Sequence, residues 1–116
     1  MNKLAVLSIS LTVVLIVAYL TLSSDANFSK GVKKSEIGMA VNQARYVYGL
    51  RKEQSVDFSR GPCLSNALAP NWVLDIVHSP RQDIDDLPEN MCPTYLEGKA
   101  QHVVELDPDG NLIRAR

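Results

Sequence analysis

The two cysteines, Cys63 and Cys92, are the residues of this chain whose types and spacing say most about its chemistry. Their spacing is not that of a C-x-x-C metal or redox motif, and His78 and His102 show no ligand-type pairing with them. An even number of cysteines in a small domain behind an export-type segment is typical of one disulfide bond. We therefore predict a Cys63–Cys92 bridge, and the alternative is two unrelated buried thiols.

The histidines and carboxylates could also supply acid–base or nucleophilic catalysis. Asp75 and Glu105 lie close in sequence to His78 and His102, and the two histidines would neighbour each other if their predicted strands were paired. No nucleophile elbow, HExxH motif, P-loop or dinucleotide glycine pattern accompanies these residues. A chain this small rarely encloses a catalytic cleft, so we expect no enzyme activity and no cofactor.

Two acid-rich segments resemble metal sites only in part. The pattern from Glu105 to Gly110 begins like an EF-hand loop, but the twelfth position of that loop would be Arg116, a cation. We expect a hairpin turn there. The second segment is a proline-containing loop, and its carboxylates are those of Asp83, Asp85, Asp86 and Glu89. Acid-rich loops of this kind are usually solvated, so the sequence predicts no metal site.

An uninterrupted apolar run from Leu4 to Leu22 indicates where the protein is placed and not what it does. The run is about long enough to cross the hydrocarbon core of a bilayer as a helix. We predict a retained single-pass membrane anchor over residues 1–24, in contact with the lipid bilayer. The alternative is a signal peptide cleaved near Ala26, which would leave a small secreted protein. The lysines on both sides leave the orientation open. The cysteine pair favours a C-terminal domain on the extracytoplasmic side.

The residues after this run predict a linker and one small domain. Residues 25–34 are polar and predict a linker, and residues 35–116 follow as the exported domain. From Glu36 to Glu53, apolar residues recur at spacings of three, four and seven, which predicts an amphipathic helix. The segment Trp72–His78 is rich in β-branched and aromatic residues and predicts a strand. Its alternate residues would face opposite sides of a sheet, with Asp75 on the side away from Trp72.

The C-terminal segment predicts a β-hairpin, because Asp107-Pro108-Asp109-Gly110 has the residues of a type I turn and lies between two apolar stretches of residues 101–115. The predicted fold class is therefore α+β. An N-terminal transmembrane helix precedes a small domain, in which one amphipathic helix packs on a short antiparallel sheet that ends in this hairpin.

The formal net charge of −1 gives no basic stripe for nucleic acid. With no catalytic or metal motif either, the sequence favours a membrane-anchored, non-enzymatic binding or structural module of the cell envelope. Its partner would be an envelope protein or a second copy of the chain. The predicted contact surface consists of Trp72, Tyr95, Asp83, Asp85, Asp86 and Glu89, although Trp72 could equally belong to the core.

The order of these elements resembles that of type IV pilins and pseudopilins. The elements come in the same order: an apolar N-terminal helix, then an amphipathic helix, then strands with a two-cysteine C-terminal region. The resemblance implies an assembly subunit as the alternative function. The chain departs from the pattern in two respects: the prepilin peptidase site is absent, and no glutamate lies within Leu4 to Leu22.

Overall fold

The computed structural model describes residues 2–25 and 32–116, with side chains described only to Tyr19 in the first segment. The chain divides into two compact units, Met1–Gly31 and Val32–Arg116, and each is described by itself. The first unit contains helix α1 (Lys3–Asp25), whose described apolar side chains are exposed. The predicted linker 25–34 and the cleavage position at Ala26 fall mostly on residues 26–31, which lie outside the described residues.

The structure corrects the predicted transmembrane anchor. Among residues 2–25 and 32–116, no helix combines the length and the apolarity that crossing a membrane requires. This finding overturns the single-pass anchor predicted over Leu4–Leu22 and the membrane localisation derived from it.

The second unit begins with helix α2 (Lys34–Glu53), which starts two residues before the predicted helix and ends where predicted. Its buried residues are Ala40, Val41 and Ala44, which lie on the predicted apolar stripe. Small residues at these positions let the helix approach the sheet closely. Arg51 and Lys52 lie in the last turn, where cations complement the negative end of the helix dipole.

The sheet has four strands in the order β1 (Cys63–Ala69), β2 (Trp72–Ile76), β3 (His102–Leu106) and β4 (Leu112–Ala115). β3 and β4 form the predicted hairpin, and β1 pairs with β2 antiparallel. β2 and β3 pair in parallel, so the predicted antiparallel sheet is wrong and the sheet is mixed. A parallel pair needs a crossover of a dozen or more residues. Residues 77–101 supply it, with two short 3-10 helices at Asp83–Asp86 and Pro88–Asn90 and the short helix α3 (Pro93–Leu96).

The two faces of the sheet are packed differently, as the alternation along β2 predicts. Trp72, Leu74 and Ile76 are buried under α2 in the main core. The opposite face is here called the open face, because no long helix packs on it. It carries Val73 and Val103 in a smaller apolar cluster, over which only the crossover lies. The predicted disulfide is present: Cys63 and Cys92 are bonded with a Cα–Cα distance of 5.0 Å. The bond ties β1 to the crossover on this face.

The crossover is also held by hydrogen bonds to β1 and to the β1–β2 turn. The Thr94 backbone N–H and hydroxyl donate to the Asn66 side-chain oxygen at 3.0 and 2.6 Å. The Gln101 backbone N–H donates to the side-chain oxygen of Asn71 at 2.8 Å. The C-terminal half of the crossover is therefore attached to β1 and to the β1–β2 turn over the open face.

Candidate functional site

Two acidic residues lie side by side in the middle of the open face. Asp75 of β2 and Glu105 of β3 are register partners in the parallel pair. Only 6% of Asp75 and 5% of Glu105 is exposed to solvent. Charged residues are rarely buried to this extent unless they are paired. Their surroundings therefore decide what the site can do.

Glu105 is paired with two arginines. Arg114 of β4 donates from Nε and Nη2 to Oε1 of Glu105, at 2.9 and 2.7 Å. Arg81 of the crossover lies with Nη1 3.4 Å from Oε2 of Glu105, and its Nε donates to the exposed carboxylate of Asp86 at 2.9 Å. Charge-assisted bonds of this kind stabilise the ionised form of a carboxylate. The positive charges of the two arginines thus balance the negative charge of Glu105, and each of its carboxylate oxygens has an arginine partner.

Asp75 lacks such a partner. Its buried Oδ1 has no hydrogen-bond partner among the described residues. Burial, and then the neighbouring charge of Glu105, raise the pKa of Asp75 to about 8, although the positive charge of Arg81 acts in the opposite direction. The carboxyl group of Asp75 is therefore mainly protonated at neutral pH. It offers an O–H donor and acceptor capacity at a buried position.

Asp75 lines a small cavity of about 120 Å³ on the open face, here called the Asp75 cavity. Its other polar walls are Arg81, Tyr95, Glu105, Arg114 and Arg116. Its apolar walls are Val73, Met91, Cys92 and Val103. A second cavity of about 220 Å³ shares the walls Arg81, Glu105 and Arg114 and extends to His78. The ion-paired row Arg81–Glu105–Arg114 therefore separates two adjoining cavities.

Regular elements and the disulfide position the walls of the Asp75 cavity. Asp75 and Glu105 come from the two central strands, and Arg114 comes from β4. The Arg116 backbone N–H and C=O both bond to Val103, at 3.1 and 2.9 Å, which continues the β3–β4 pairing to this residue. Side chains on paired strands are placed more accurately than side chains on loops. Strand pairing thus fixes the positions of Asp75, Glu105 and Arg114 in the cavity wall.

The crossover is organised around a second buried acid, Asp85, which is fully buried. It accepts hydrogen bonds from the backbone N–H of Gln82 and of His78, each at 2.9 Å, and lies 2.8 Å from Nδ1 of His78. Burial acts to raise the pKa of Asp85, but these hydrogen bonds and the charge of His78 outweigh it and lower the pKa. Gly61 has a φ of +65°, and a Cβ there would clash with Oδ1 of Asp85. Asp85 therefore has a structural role.

The parallel pairing separates the two histidines. His102 begins β3 beside Trp72, and the two rings lie 4.9 Å apart. His78 follows the far end of β2, so the predicted proximity of the histidines across the sheet is wrong. An antiparallel pair would have brought the end of one strand to the start of the next.

The predicted contact residues are placed in different environments. Trp72 is buried in the main core, where its Nε1 donates to Glu36 at 3.0 Å, and Asp85 is buried in the crossover. Tyr95 is half-buried and lines the Asp75 cavity. The carboxylates that remain exposed are those of Asp83, Asp86 and Glu89. The structure therefore does not gather the six residues into one surface.

Asp75 and Glu105 form a pair of carboxyl groups in different environments on the open face. A protonated carboxyl beside an ionised one is an acid–base pair in some enzymes. Here both oxygens of Glu105 are engaged by arginines, which weakens it as a base or nucleophile. Both cysteines are consumed by the disulfide. In the part of the chain that the structure describes, no hydroxyl group is hydrogen-bonded to His78, and no cluster of His, Cys, Asp or Glu has a metal-binding arrangement.

Sequence analysis missed Arg81, Arg114 and Arg116 as site residues. Asp75 and Glu105 gave the available signal, because each is an acid inside an apolar strand segment. Comparison with known proteins adds no further residue: no family model, curated protein or solved structure matches this chain.

Proposed function

We propose that residues 32–116 form a non-enzymatic binding module whose recognition site is the Asp75 cavity. The observation that carries this proposal is the buried carboxyl group of Asp75, whose Oδ1 has no hydrogen-bond partner among the described residues. Leaving a buried polar atom unpartnered costs about 1–3 kcal/mol. A strongly shifted pKa in a cleft is itself a sign of a functional site. A ligand that bonds to this oxygen would recover part of that cost on binding.

The rigidity of the site supports recognition. The Cys63–Cys92 disulfide and the hydrogen bonds of Asn66 and Asn71 hold the crossover over the open face. Since Glu105 and Arg114 are held by strand pairing and by their ion pair, less conformational entropy is lost at these residues when a ligand enters. A small site can then bind with useful affinity.

Nuclear magnetic resonance of the full chain tests this proposal. The labelled protein is titrated with small anions, small cations and neutral amides, and the amide shifts of the described residues are followed. We expect one class of ligand to shift Val73, Val103 and Tyr95, while the ligand's own spectrum stays unchanged over days. Chemical conversion of the ligand would contradict the non-enzymatic proposal. The absence of any shift on the open face would contradict the proposed site.

The other functions remain predictions. No observation on the described residues favours the pilin-like assembly subunit or the cleaved, secreted form. An envelope protein or a second copy of the chain as partner is likewise a prediction from the sequence. The geometry supports the binding module best because it provides a cavity with an unpartnered group.

A further inference from the structure

We propose that the Asp75 cavity binds a small carboxylate anion, with Arg114 and Arg116 holding its charge and Asp75 hydrogen-bonding to one of its oxygens. This inference rests on the proposed function, because it assumes that the Asp75 cavity is the recognition site. It adds the chemical class of the ligand. Three features of the cavity carry it: its charge, its free donors and its size.

The charges of the walls favour an anion. Three arginines line the cavity, namely Arg81, Arg114 and Arg116. Glu105 neutralises one of these positive charges, and Asp75 opposes a second only when it is ionised. Asp86, which is bound to Arg81, offsets another. The net charge around the cavity is therefore positive while Asp75 is protonated and close to zero once it is ionised. A cation, which two buried carboxylates could otherwise attract, would face three arginines.

The free donors point to an oxyanion. Arg114 uses Nε and Nη2 on Glu105, and its Nη1 has no partner among the described residues. The side chain of Arg116 likewise has none among them and is exposed. The planar fork of arginine matches the two oxygens of a carboxylate. The protonated carboxyl of Asp75 supplies the remaining donor, since an O–H group needs an acceptor opposite it.

The size and the apolar walls limit the ligand to a small carboxylate. A cavity of about 120 Å³ holds a ligand of only a few heavy atoms. Val73, Met91 and Val103 line its apolar side. A short hydrocarbon group next to the carboxylate would lie against these side chains. An inorganic oxyanion such as phosphate has no such group and leaves the apolar side unfilled.

Isothermal titration calorimetry of the full chain tests the ligand class with matched probes. Acetate, acetamide, methylammonium and phosphate are titrated separately at pH 6.5, with the ionic strength kept constant by chloride. We expect saturable binding of acetate at least ten-fold tighter than that of acetamide, and no binding of methylammonium. Phosphate binding as tight as that of acetate, or preferential binding of methylammonium or acetamide, would overturn the carboxylate inference.

The pH dependence of acetate binding tests the role of Asp75. The charged and titratable groups that face it are Glu105 on β3, Arg81 and Asp85 in the crossover, Arg114 and Arg116 at β4, and Tyr95 on α3. The arginines keep their charge throughout the range, so ionisation of Asp75 itself is the change expected near pH 8. We expect acetate affinity to be constant from pH 6 to 7 and to fall about ten-fold per pH unit above pH 8. Affinity that is unchanged up to pH 9.5 would overturn this role.

Two variants and a control assign the binding to the cavity. Arg116→Gln removes an exposed guanidinium with no structural contact and should weaken acetate binding at least five-fold. Arg45→Gln, an exposed position on α2, should leave binding unchanged. Asp75→Asn keeps a donor for the anion, so it should retain binding while losing the fall above pH 8. Equal effects of the two arginine variants would contradict the assignment.

The outcomes separate this inference from the proposed function. If a probe other than acetate binds and Asp75→Asn changes its affinity, the cavity remains the recognition site and only the carboxylate is rejected. Failure of all four probes to bind would reject the carboxylate, and the wider screen by nuclear magnetic resonance decides whether the site itself fails.

Discussion

Replacing Asp75 by asparagine should change how the stability of the protein depends on pH. In the folded protein the pKa of Asp75 is raised to about 8, mainly by burial and then by the charge of Glu105, against an ordinary value of 3.8. Between these two pH values the folded state keeps a proton that the unfolded state has released. Unfolding therefore releases a proton, and the free energy of unfolding falls as pH rises.

The size of this effect follows from the proton linkage. One released proton lowers the free energy of unfolding by about 1.4 kcal/mol for each pH unit. From pH 5 to pH 7.5, the ionisation of Asp75 alone should therefore lower the free energy of unfolding by about 3 kcal/mol. Three other carboxyl groups have lowered pKa values, those of Asp57, Asp85 and Asp107. Burial acts to raise each pKa, but the hydrogen bonds to the ionised carboxylate outweigh it. Their contributions are lost only at lower pH. Comparison of the parent with Asp75→Asn across this window therefore isolates the contribution of Asp75.

Asp75→Asn has a similar shape and does not ionise, so its stability should be nearly flat across this window. The buried amide brings donors that must be satisfied, which costs about 1–3 kcal/mol. The variant should therefore be no more stable than the parent at pH 5, and more stable by about 1–2 kcal/mol at pH 8. The two curves of stability against pH should cross.

Urea denaturation at half-unit steps from pH 5 to pH 8.5 measures the two curves. Asp83→Asn, at an exposed position, is the control and should keep the parent's slope. The reasoning is refuted if the parent's stability is constant or rises over this range. It is also refuted if Asp75→Asn falls with pH as steeply as the parent.

Three further substitutions test the packing around the site, each by urea denaturation at pH 7. Replacing Cys63 and Cys92 together by alanine should lower the free energy of unfolding by about 3–4 kcal/mol through the lost loop constraint, and an unchanged value would mean that the bond is not formed in the protein tested. Arg114→Gln should lower the free energy of unfolding by about 1–3 kcal/mol, because Glu105 loses its two shortest hydrogen bonds. Adding Glu105→Gln to this variant should restore part of the lost stability, and no restoration would argue against the pairing. Val41→Asp should lower the free energy of unfolding by several kcal/mol, because it places a charge between α2 and the sheet, and an unchanged free energy of unfolding would show that this face is exposed.

The elements that could be predicted from sequence are those specified by neighbouring residues. The apolar spacing from Glu36 to Glu53 gave α2, because its period depends only on the helix itself. The turn around Gly110 gave the hairpin, because Asp107 bonds to the backbone N–H groups of Asp109 and Asn111 within the turn. Local chemistry of this kind needs no knowledge of distant segments.

Strand β1 and the order of the sheet could not be predicted in this way. β1 contains polar and small residues, and its pairing with β2 is interrupted on both sides of Ser65. Such a segment lacks the alternation that indicates a strand. The parallel pairing of β2 with β3 depends on the path of the whole crossover. A short antiparallel sheet was therefore the simpler expectation and was wrong.

The candidate site illustrates the same limit. Asp75 was placed correctly on the side of β2 away from Trp72, and Glu105 was recognised as a strand acid. Their proximity follows from the parallel register, and their difference in environment follows from where Arg81 and Arg114 lie. These are contacts between residues far apart in sequence. The apolar run near the N-terminus gave a strong local signal, but the described residues of α1 do not provide a membrane-spanning helix.

The most direct test of the recognition site is the pKa of the Asp75 carboxyl group with and without acetate. It is measured in the full chain by following the chemical shift of the carboxyl carbon with pH in carbon-13 nuclear magnetic resonance. The account predicts a pKa of about 8 in the free protein. It also predicts a higher value with saturating acetate, because an anion that binds the protonated form must favour protonation in return. A pKa near 4 would contradict a buried carboxyl group whose Oδ1 has no hydrogen-bond partner among the described residues. A pKa that acetate leaves unchanged or lowers would contradict its role in binding.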